Sequence, residues 1–387
     1  MTLSVVIPTY GREEVLCDTI RYLLALAAPA DEIVVVDQTA DHGLGTQDFL
    51  TQQSAAGAIR WLRHAPPGTV GAMNRGLLEA RGELVLFLDD DIIPGAELVA
   101  AQRRAHAEHA EAWAVVGQVL QPEEWETAGT AKHAKGREGA GEPTEHTCPQ
   151  CLRDEPKPKR CRRAEDTEVA AGRWTADGEL TAKDAKGRET RQSGCPTGSA
   201  GLGKPSSTSP SIRVDSCDSR SGSLTGDLGF RFNGATPAWV TNVMAGNLCV
   251  KRERALAVGG FDANFTPPVA YRFETEFAKR VIAAGGRIWF EPTASIRHLR
   301  AARGGTRSQG SHLTSASPVH GVGDYYYALR CGRGWERVWY VARRPFREVR
   351  TRFHLRHPWY IPVKLIGEAR AMLLALRLWR RGPKLLR

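Results

Sequence analysis

Residues 84–91 read Leu-Val-Leu-Phe-Leu-Asp-Asp-Asp. Five large apolar residues in a row suit a strand covered on both faces, the kind found in parallel α/β sheets. Three carboxylates follow at the strand's exit, which is where open α/β sheets bind their ligands. Toward the start of the chain, Leu3–Ile7 (LSVVI), Ile33–Val36 (IVVV, running into Asp37) and the shorter Ile59–Leu62 have the same character. Between the first two, Glu13–Leu26 places Val15, Leu16, Ile20, Leu23 and Leu24 at helical spacing. Strand, helix, strand in close succession implies a right-handed parallel crossover. Beyond the first helix and the opening strands, Gly71–Ala80 and Gly95–Ala107 read as helices and Ala114–Leu120 as a fifth strand.

This frame makes the polar residues at strand exits the candidate site: Pro8, Thr9 and Tyr10, then Asp37, then Asp89, Asp90 and Asp91. No G-x-G-x-x-G follows the first strand and no G-x-x-x-x-G-K-[ST] occurs, which argues against a dinucleotide oxidoreductase and a P-loop NTPase. Adjacent carboxylates repel one another unless a cation sits among them. Mg²⁺ or Mn²⁺ would join them to phosphate oxygens and stabilise a departing diphosphate. The plain alternative is a solvated turn in which one aspartate caps the following helix.

The stretches SVVIPTYGR, EIVVVD, GTVGAMNRGLLEARGELVLFLDDDIIP, GNLCVKRERALAVGGFD and YRFETEFAKRVIAAG resemble, in order, the motifs of family-2 inverting glycosyltransferases. The resemblance covers about residues 1–125 and 228–315. It implies a GT-A fold, a Rossmann-like mixed sheet flanked by helices, acting on a nucleotide-diphosphate sugar with a divalent metal. Carried over residue by residue, Pro8, Thr9 and Tyr10 would line the nucleoside pocket and Asp37 would bond the base. Gly68, Ala72 and Asn74 match the family's G-x-x-x-A-R-N element near the donor, although Met73 stands where Arg is common. Asp89 and Asp91 match the metal-binding D-x-D, with Asp90 between them counted among the donor contacts and Asp91 the more direct metal ligand. His298, in the run Pro292–His298, is a third metal ligand or a diphosphate contact. Arg307, in a glycine-rich basic loop with Gly304 and Gly305, would reach a phosphate.

For the acceptor side the resemblance points to Gly246, Asn247 and Phe273, with Glu274 as the base that takes the hydroxyl proton. Glu276 would pair structurally with Arg280, one turn later. The Gly259–Asp262 turn has a simpler architectural reading, and acidic residues in a helix's first turn are favoured by its dipole alone. There is no Q-x-x-R-W, so transfer of a single sugar is expected.

The chain divides by composition into 1–126, 127–225, 226–320 and 321–387. The second part holds few large apolar residues and a repeat-like pair, TAKHAKGRE and TAKDAKGRE; it is expected to be a disordered insert. Cys148 and Cys151 form a single C-x-x-C pair, weak grounds for zinc. The last part is basic: sixteen Lys and Arg against three Glu between Arg330 and Arg387, an excess larger than the whole chain's +10. A helix over 360–378 with interspersed Lys and Arg suggests contact with an anionic membrane surface, a core-packed helix being the alternative. With no signal peptide and no membrane-spanning run, the expected location is cytoplasmic, free or peripheral on the inner membrane face. The expected partners are a nucleotide-diphosphate sugar, UDP-type favoured, and a glycan or lipid-linked acceptor, with no nucleic acid. Two other readings stay open: a donor-binding protein of the same fold with impaired turnover, and a nucleotidyltransferase. The latter would need a glycine-rich loop with Arg after the first strand, which TYGREEV does not supply.

Overall fold

A computed structural model describes residues 1–125, 224, 231–267, 269, 271–301, 303–304 and 311–387, all within one compact unit. The insert, its cysteines and Arg307 lie outside the described residues. Leu224, counted above with the insert, is described: it is buried, and its N–H donates to Glu336 Oε1 at 2.5 Å.

The first half follows the apolar runs. Strands β1 (Leu3–Thr9), β2 (Glu32–Asp37), β3 (Arg60–Arg63) and β4 (Leu84–Leu88) are parallel, in the order β3-β2-β1-β4. Helices α1 (Glu14–Leu24), α2 (Leu44–Ala55), α3 (Thr69–Glu79) and α4 (Leu98–Glu108) connect or flank them. The sheet then turns mixed. β8 (Asn247–Lys251) runs antiparallel to β4 and to β6 (Ala112–Leu120), and β6 runs parallel to β9 (Arg287–His298). Two short strands, β5 (Ile92–Pro94) and β7 (Ala238–Val240), pair antiparallel with β9. This is the mixed α/β sheet flanked by helices expected of a GT-A fold.

Both faces of the sheet are covered, which is why its strands read as continuous apolar runs. Alternate residues feed two cores. Val6, Val34, Val36, Val85 and Phe87 pack on one face, and Val5, Ile7, Val35, Leu84, Leu86 and Leu88 on the other. The first core extends through α5 (Arg252–Ala257) and α6 (Phe273–Ala283) to α7 (Val322–Cys331) and α10 (Tyr360–Arg381). Between α7 and α10 lie α8 (Gly334–Val349) and the short α9 (Arg352–Arg356).

The 360–378 segment is a helix, but its inner face joins the core: Lys364, Gly367, Glu368, Ala371 and Ala375 are buried. Lys364 Nζ lies 3.2 Å from Glu368 Oε1 and 3.5 Å from Glu348 Oε2. The charges read as a membrane-facing stripe are thus partly an internal network, and the core-packed alternative describes this face. No helix among the described residues is long and apolar enough to cross a membrane.

Candidate active site

The parallel pairing of β1 with β4 places their exits side by side, and the residues that leave them meet. Asp91 is 2% exposed, and its Oδ2 accepts hydrogen bonds from the Ala301 N–H at 2.8 Å and from Arg12 Nη2 at 3.2 Å. Arg300 takes a left-handed φ of +53°, uncommon for a residue with a side chain, and the Ala301 N–H follows directly after it. The other oxygen, Oδ1, lies 3.1 Å from His298 Nε2, and Asp89 Oδ2 lies 3.8 Å from the same nitrogen. Asp89, Asp91 and His298 each offer one ligand atom, all within 4.8 Å of one another. The three residues assigned to a metal from sequence are therefore brought together, by the exit of β4 and the end of β9.

The hydrogen bonds set the state of His298. Gln121 Oε1 accepts Arg300 Nε at 2.8 Å, and Arg can only donate, so that atom of Gln121 is its oxygen. The same oxygen lies 3.2 Å from His298 Nδ1. Nδ1 therefore carries the proton, and Nε2 presents either a lone pair or a second proton to two carboxylates. Doubly protonated, the ring pairs with Asp91 directly; with Nε2 unprotonated, its lone pair and the carboxylate oxygens would share a cation. Two oxygens, one imidazole nitrogen and an outer partner fixing the tautomer fit a divalent ion.

Arg12 is the residue that the sequence reading quoted in PTYGR but gave no role. Its Nε donates to Asp90 Oδ1 at 3.1 Å, its Nη2 to Asp91, and its Nη1 to Ala301 O at 3.1 Å and to Arg303 O. One protein cation thus offsets part of a three-carboxylate cluster. A signal existed: three adjacent carboxylates need a counter-charge, and the exit of the neighbouring strand is its nearest source. Burial raises the Asp90 carboxyl to about 6 against the pull of Arg12. Burial also works to raise Asp91, but the His298 hydrogen bond and charge, the Ala301 N–H and Arg12 outweigh it and hold that carboxyl below its usual range.

On the other side of the cluster, Gly246 packs against Asp89: a Cβ there would sit 2.4 Å from Asp89 Oδ2. The neighbouring Ala245 N–H donates to Glu274 Oε1 at 3.0 Å. Glu274 is thereby seated at the start of α6, beside the segment that abuts Asp89. Glu276 forms the expected pair with Arg280, a fully buried two-point contact at 2.8 Å for each bond. Arg280 also donates to Val258 O at 2.5 Å and Gly260 O at 2.7 Å.

Several residues assigned from sequence turn inward instead. Asn74 clasps the backbone of Phe261: its Nδ2 donates to Phe261 O at 2.7 Å, and its Oδ1 accepts the Phe261 N–H at 2.8 Å. Asn247 is fully buried, giving Nδ2 to Ala294 O at 2.7 Å and accepting Gln102 Nε2 at 3.1 Å, so it cannot meet an acceptor. Phe273 packs edge-on to Phe261 with ring centroids 5.9 Å apart, a core position. Asp90 is buried against Arg12. Met73, where the family commonly has Arg, is also in the core.

Asp37 does end β2, but its carboxylate is closed off. Oδ1 accepts the Thr39 N–H at 2.8 Å; Trp61 Nε1 and Arg63 Nη1 lie 2.9 Å from Oδ2, and His42 Nε2 2.8 Å. Burial would raise this carboxyl, and those bonds lower it below the usual range. The Asp37 side chain is fully buried, whereas that of Arg63 beside it is 45% exposed. Pro8 is half-buried, Thr9 buried and Tyr10 exposed at the end of β1. Gly68 caps α3, with its N–H donating to Gln38 Oε1 at 2.5 Å.

A mixed α/β sheet thus carries, at the exit of β4, a cluster of two carboxylates and an imidazole that could hold a metal ion. Residues 4–163 match the family described as Glycosyl transferase family 2. An uncharacterized glycosyltransferase (alr2836) of Nostoc sp. PCC 7120 is 36% identical over 93 residues. That match covers 24% of this chain, which spans only 28% of the relative's length. Among solved structures, GalNAc-T7 with UDP, GalNAc and Mn²⁺ has 13% identity and a TM-score of 0.46, covering 85% of this chain and 50% of that one. A mannosyltransferase of Pyrobaculum calidifontis in complex with GDP-Man and Mn²⁺ has 13% identity and a TM-score of 0.43, covering 97% and 73%. S. aureus TarS (residues 1–349) has 22% identity and a TM-score of 0.29, covering 37% and 39%.

Proposed function

We propose that this chain transfers a single sugar, with inversion, from a nucleotide-diphosphate donor to an acceptor hydroxyl in the synthesis of a surface glycan or glycolipid. The observation that carries the reading is the convergence of Asp89, Asp91 and His298 Nε2, the latter with its tautomer fixed by Gln121 and Arg300. Asp89, Asp91 and His298 would hold a divalent cation, whose charge offsets the negative charge that builds on the leaving diphosphate. A set of two carboxylates and one imidazole favours Mn²⁺ over Mg²⁺, which prefers all-oxygen sites.

The remaining work falls to the protein's own groups. Arg12 fixes Asp91 Oδ2, so that only Oδ1 faces the ligand side. Glu274 accepts the proton of the acceptor hydroxyl as that oxygen bonds to the anomeric carbon, and the electrons of the broken bond leave with the diphosphate. The Ala245 N–H on Oε1 positions the carboxylate. A UDP-type donor is the first to test.

The experiment is release of nucleoside diphosphate from a panel of UDP- and GDP-sugars, with and without Mn²⁺. The parent should turn over at least one donor only with metal. Asp91→Ala should lose metal-dependent turnover, and Glu274→Gln should lose transfer while still binding donor. If Glu274→Gln turned over at the parental rate, the base assignment would be wrong. Donor binding without turnover by the parent would favour the impaired-enzyme reading.

A further inference from the structure

Helix α8 is built inside out. Its inner face carries Arg344, which is 2% exposed and donates to Glu368 Oε2 at 3.0 Å, to His320 O at 2.9 Å and to Asp324. Its outer face carries the large apolar residues. Trp335 is 74% exposed, Val338 and Trp339 53% each, and Phe346 68%. Positions 335, 338, 339, 342 and 346 form one stripe at helical spacing. Trp335 and Trp339 stack with ring centroids 6.5 Å apart, so the stripe begins as an aromatic platform. Leu355 in α9 and Trp359 just after it are exposed as well. A helix normally buries its apolar stripe, and an exposed run of this size marks an interaction surface.

The charges say what covers it. Arg343, Arg347, Arg350, Arg352 and Arg356 are exposed on and just after the same helix. Between Arg333 and Trp359 the sequence holds eight Arg and two Glu, and both Glu are engaged. Glu348 pairs with Arg344, Arg347 and Lys364, and Glu336 accepts the Leu224 N–H. Indole rings with arginines beside them match the interfacial layer of an anionic bilayer, where aromatic rings sit at headgroup depth and Arg meets lipid phosphate. Val338, Ala342 and Leu355 add aliphatic surface, which gains from acyl chains and offers nothing to stacked bases.

We propose that the outer face of α8, together with Leu355 and Trp359, docks this protein on an anionic lipid bilayer. The outer side of α10 also exposes Leu365, Ile366, Leu373 and Trp379. A chain of contacts links the face to the proposed base. Arg344 bonds Asp324, Asp324 accepts Arg272 Nε at 2.5 Å, and Arg272 O accepts the Glu276 N–H at 3.0 Å in the first turn of α6, which carries Glu274. The docking proposal itself stands on the surface alone and does not depend on the sugar-transfer reading.

The test uses the full chain with vesicles of phosphatidylcholine, alone or mixed with phosphatidylglycerol. The parent should co-sediment with the mixed vesicles at low salt and be released by high salt. Its tryptophan emission should be quenched by lipids brominated near the headgroup. Reversing Arg343, Arg347 and Arg350 to Glu should weaken binding on the order of a hundredfold. The set Trp335→Ser, Trp339→Ser and Phe346→Ser should abolish quenching, with the melting temperature confirming that both variants stay folded. Equal binding to neutral and anionic vesicles, or binding unchanged in both variants, would overturn the proposal. So would a parent that ignores vesicles but dimerises, or binds single-stranded RNA, through these same residues.

Discussion

The substitution Gly246→Ala probes the site without removing any of its ligands. A Cβ at this position would lie 2.4 Å from Asp89 Oδ2 and 3.0 Å from its Cγ, whereas an ordinary contact begins near 3.4 Å. The carboxylate must therefore retreat by about 1 Å, several times the ±0.2 Å within which metal–ligand distances are held. Asp89 is partly exposed, at 39% of its side chain, so it can swing into solvent at little cost to folding. The expected loss of stability is under about 1 kcal/mol, a fall in Tm of less than about 4 °C. Metal affinity should fall much further, about 10- to 100-fold, the range seen when the groups supporting a metal ligand are disturbed. Isothermal titration with Mn²⁺, run beside a thermal melt, separates the two effects. An unchanged Mn²⁺ affinity in a folded Gly246→Ala protein would refute the placement of Asp89 in the metal site.

Other outcomes follow from the same structure. His106 is buried in α4, and burial, reinforced by the charge of Lys251, lowers its pKa from the usual 6.5 to about 4. Its folded pKa is depressed, so its contribution to stability is complete above pH 6.5 and is lost as the pH falls toward 4, by about 3 kcal/mol in all. The variant His106→Leu should show a flatter dependence of unfolding free energy on pH across that window, measured by denaturant titration. Glu276→Ala strands the fully buried Arg280 guanidinium and should cost about 3–5 kcal/mol, read as a fall in the denaturant midpoint. Arg12→Ala removes the cation beside Asp90 and one partner of Asp91, which keeps His298 and the Ala301 N–H; chemical denaturation should show a loss of more than about 1 kcal/mol, with Asp90 taking up a proton at a higher pH than in the parent.

Much of the frame was legible in sequence because parallel strands buried on both faces leave an unmistakable trace. LSVVI, EIVVVD and LVLFL are strands β1, β2 and β4, and the carboxylates after LVLFL do cluster with His298. Strands β5 and β7 have three residues each, too short to show a period, and they exist because β9 offers them an edge. Helix α2 was missed because its LGTQDFLTQQSA carries no sustained apolar stripe. Asn74, Asn247 and Phe273 turn toward the protein interior, which their residue types do not announce. A buried amide clasping backbone and an exposed one meeting a ligand have the same sequence signature, and only the fold shows that Phe261 and Ala294 take these groups. The tail followed the same pattern. Apolar residues mixed with Lys and Arg mark an amphipathic helix, but not which face looks outward, and Lys364 and Glu368 turned in while Trp335 and Trp339 turned out.

The central claim is best tested by locating the ion itself. Crystals grown with Mn²⁺ and a nucleoside diphosphate should show anomalous scattering at a single peak within coordination distance of Asp89, Asp91 and His298 Nε2, with the diphosphate on its open side. Nucleotide bound with no metal signal there, or a Mn²⁺ ion held elsewhere, would contradict the account.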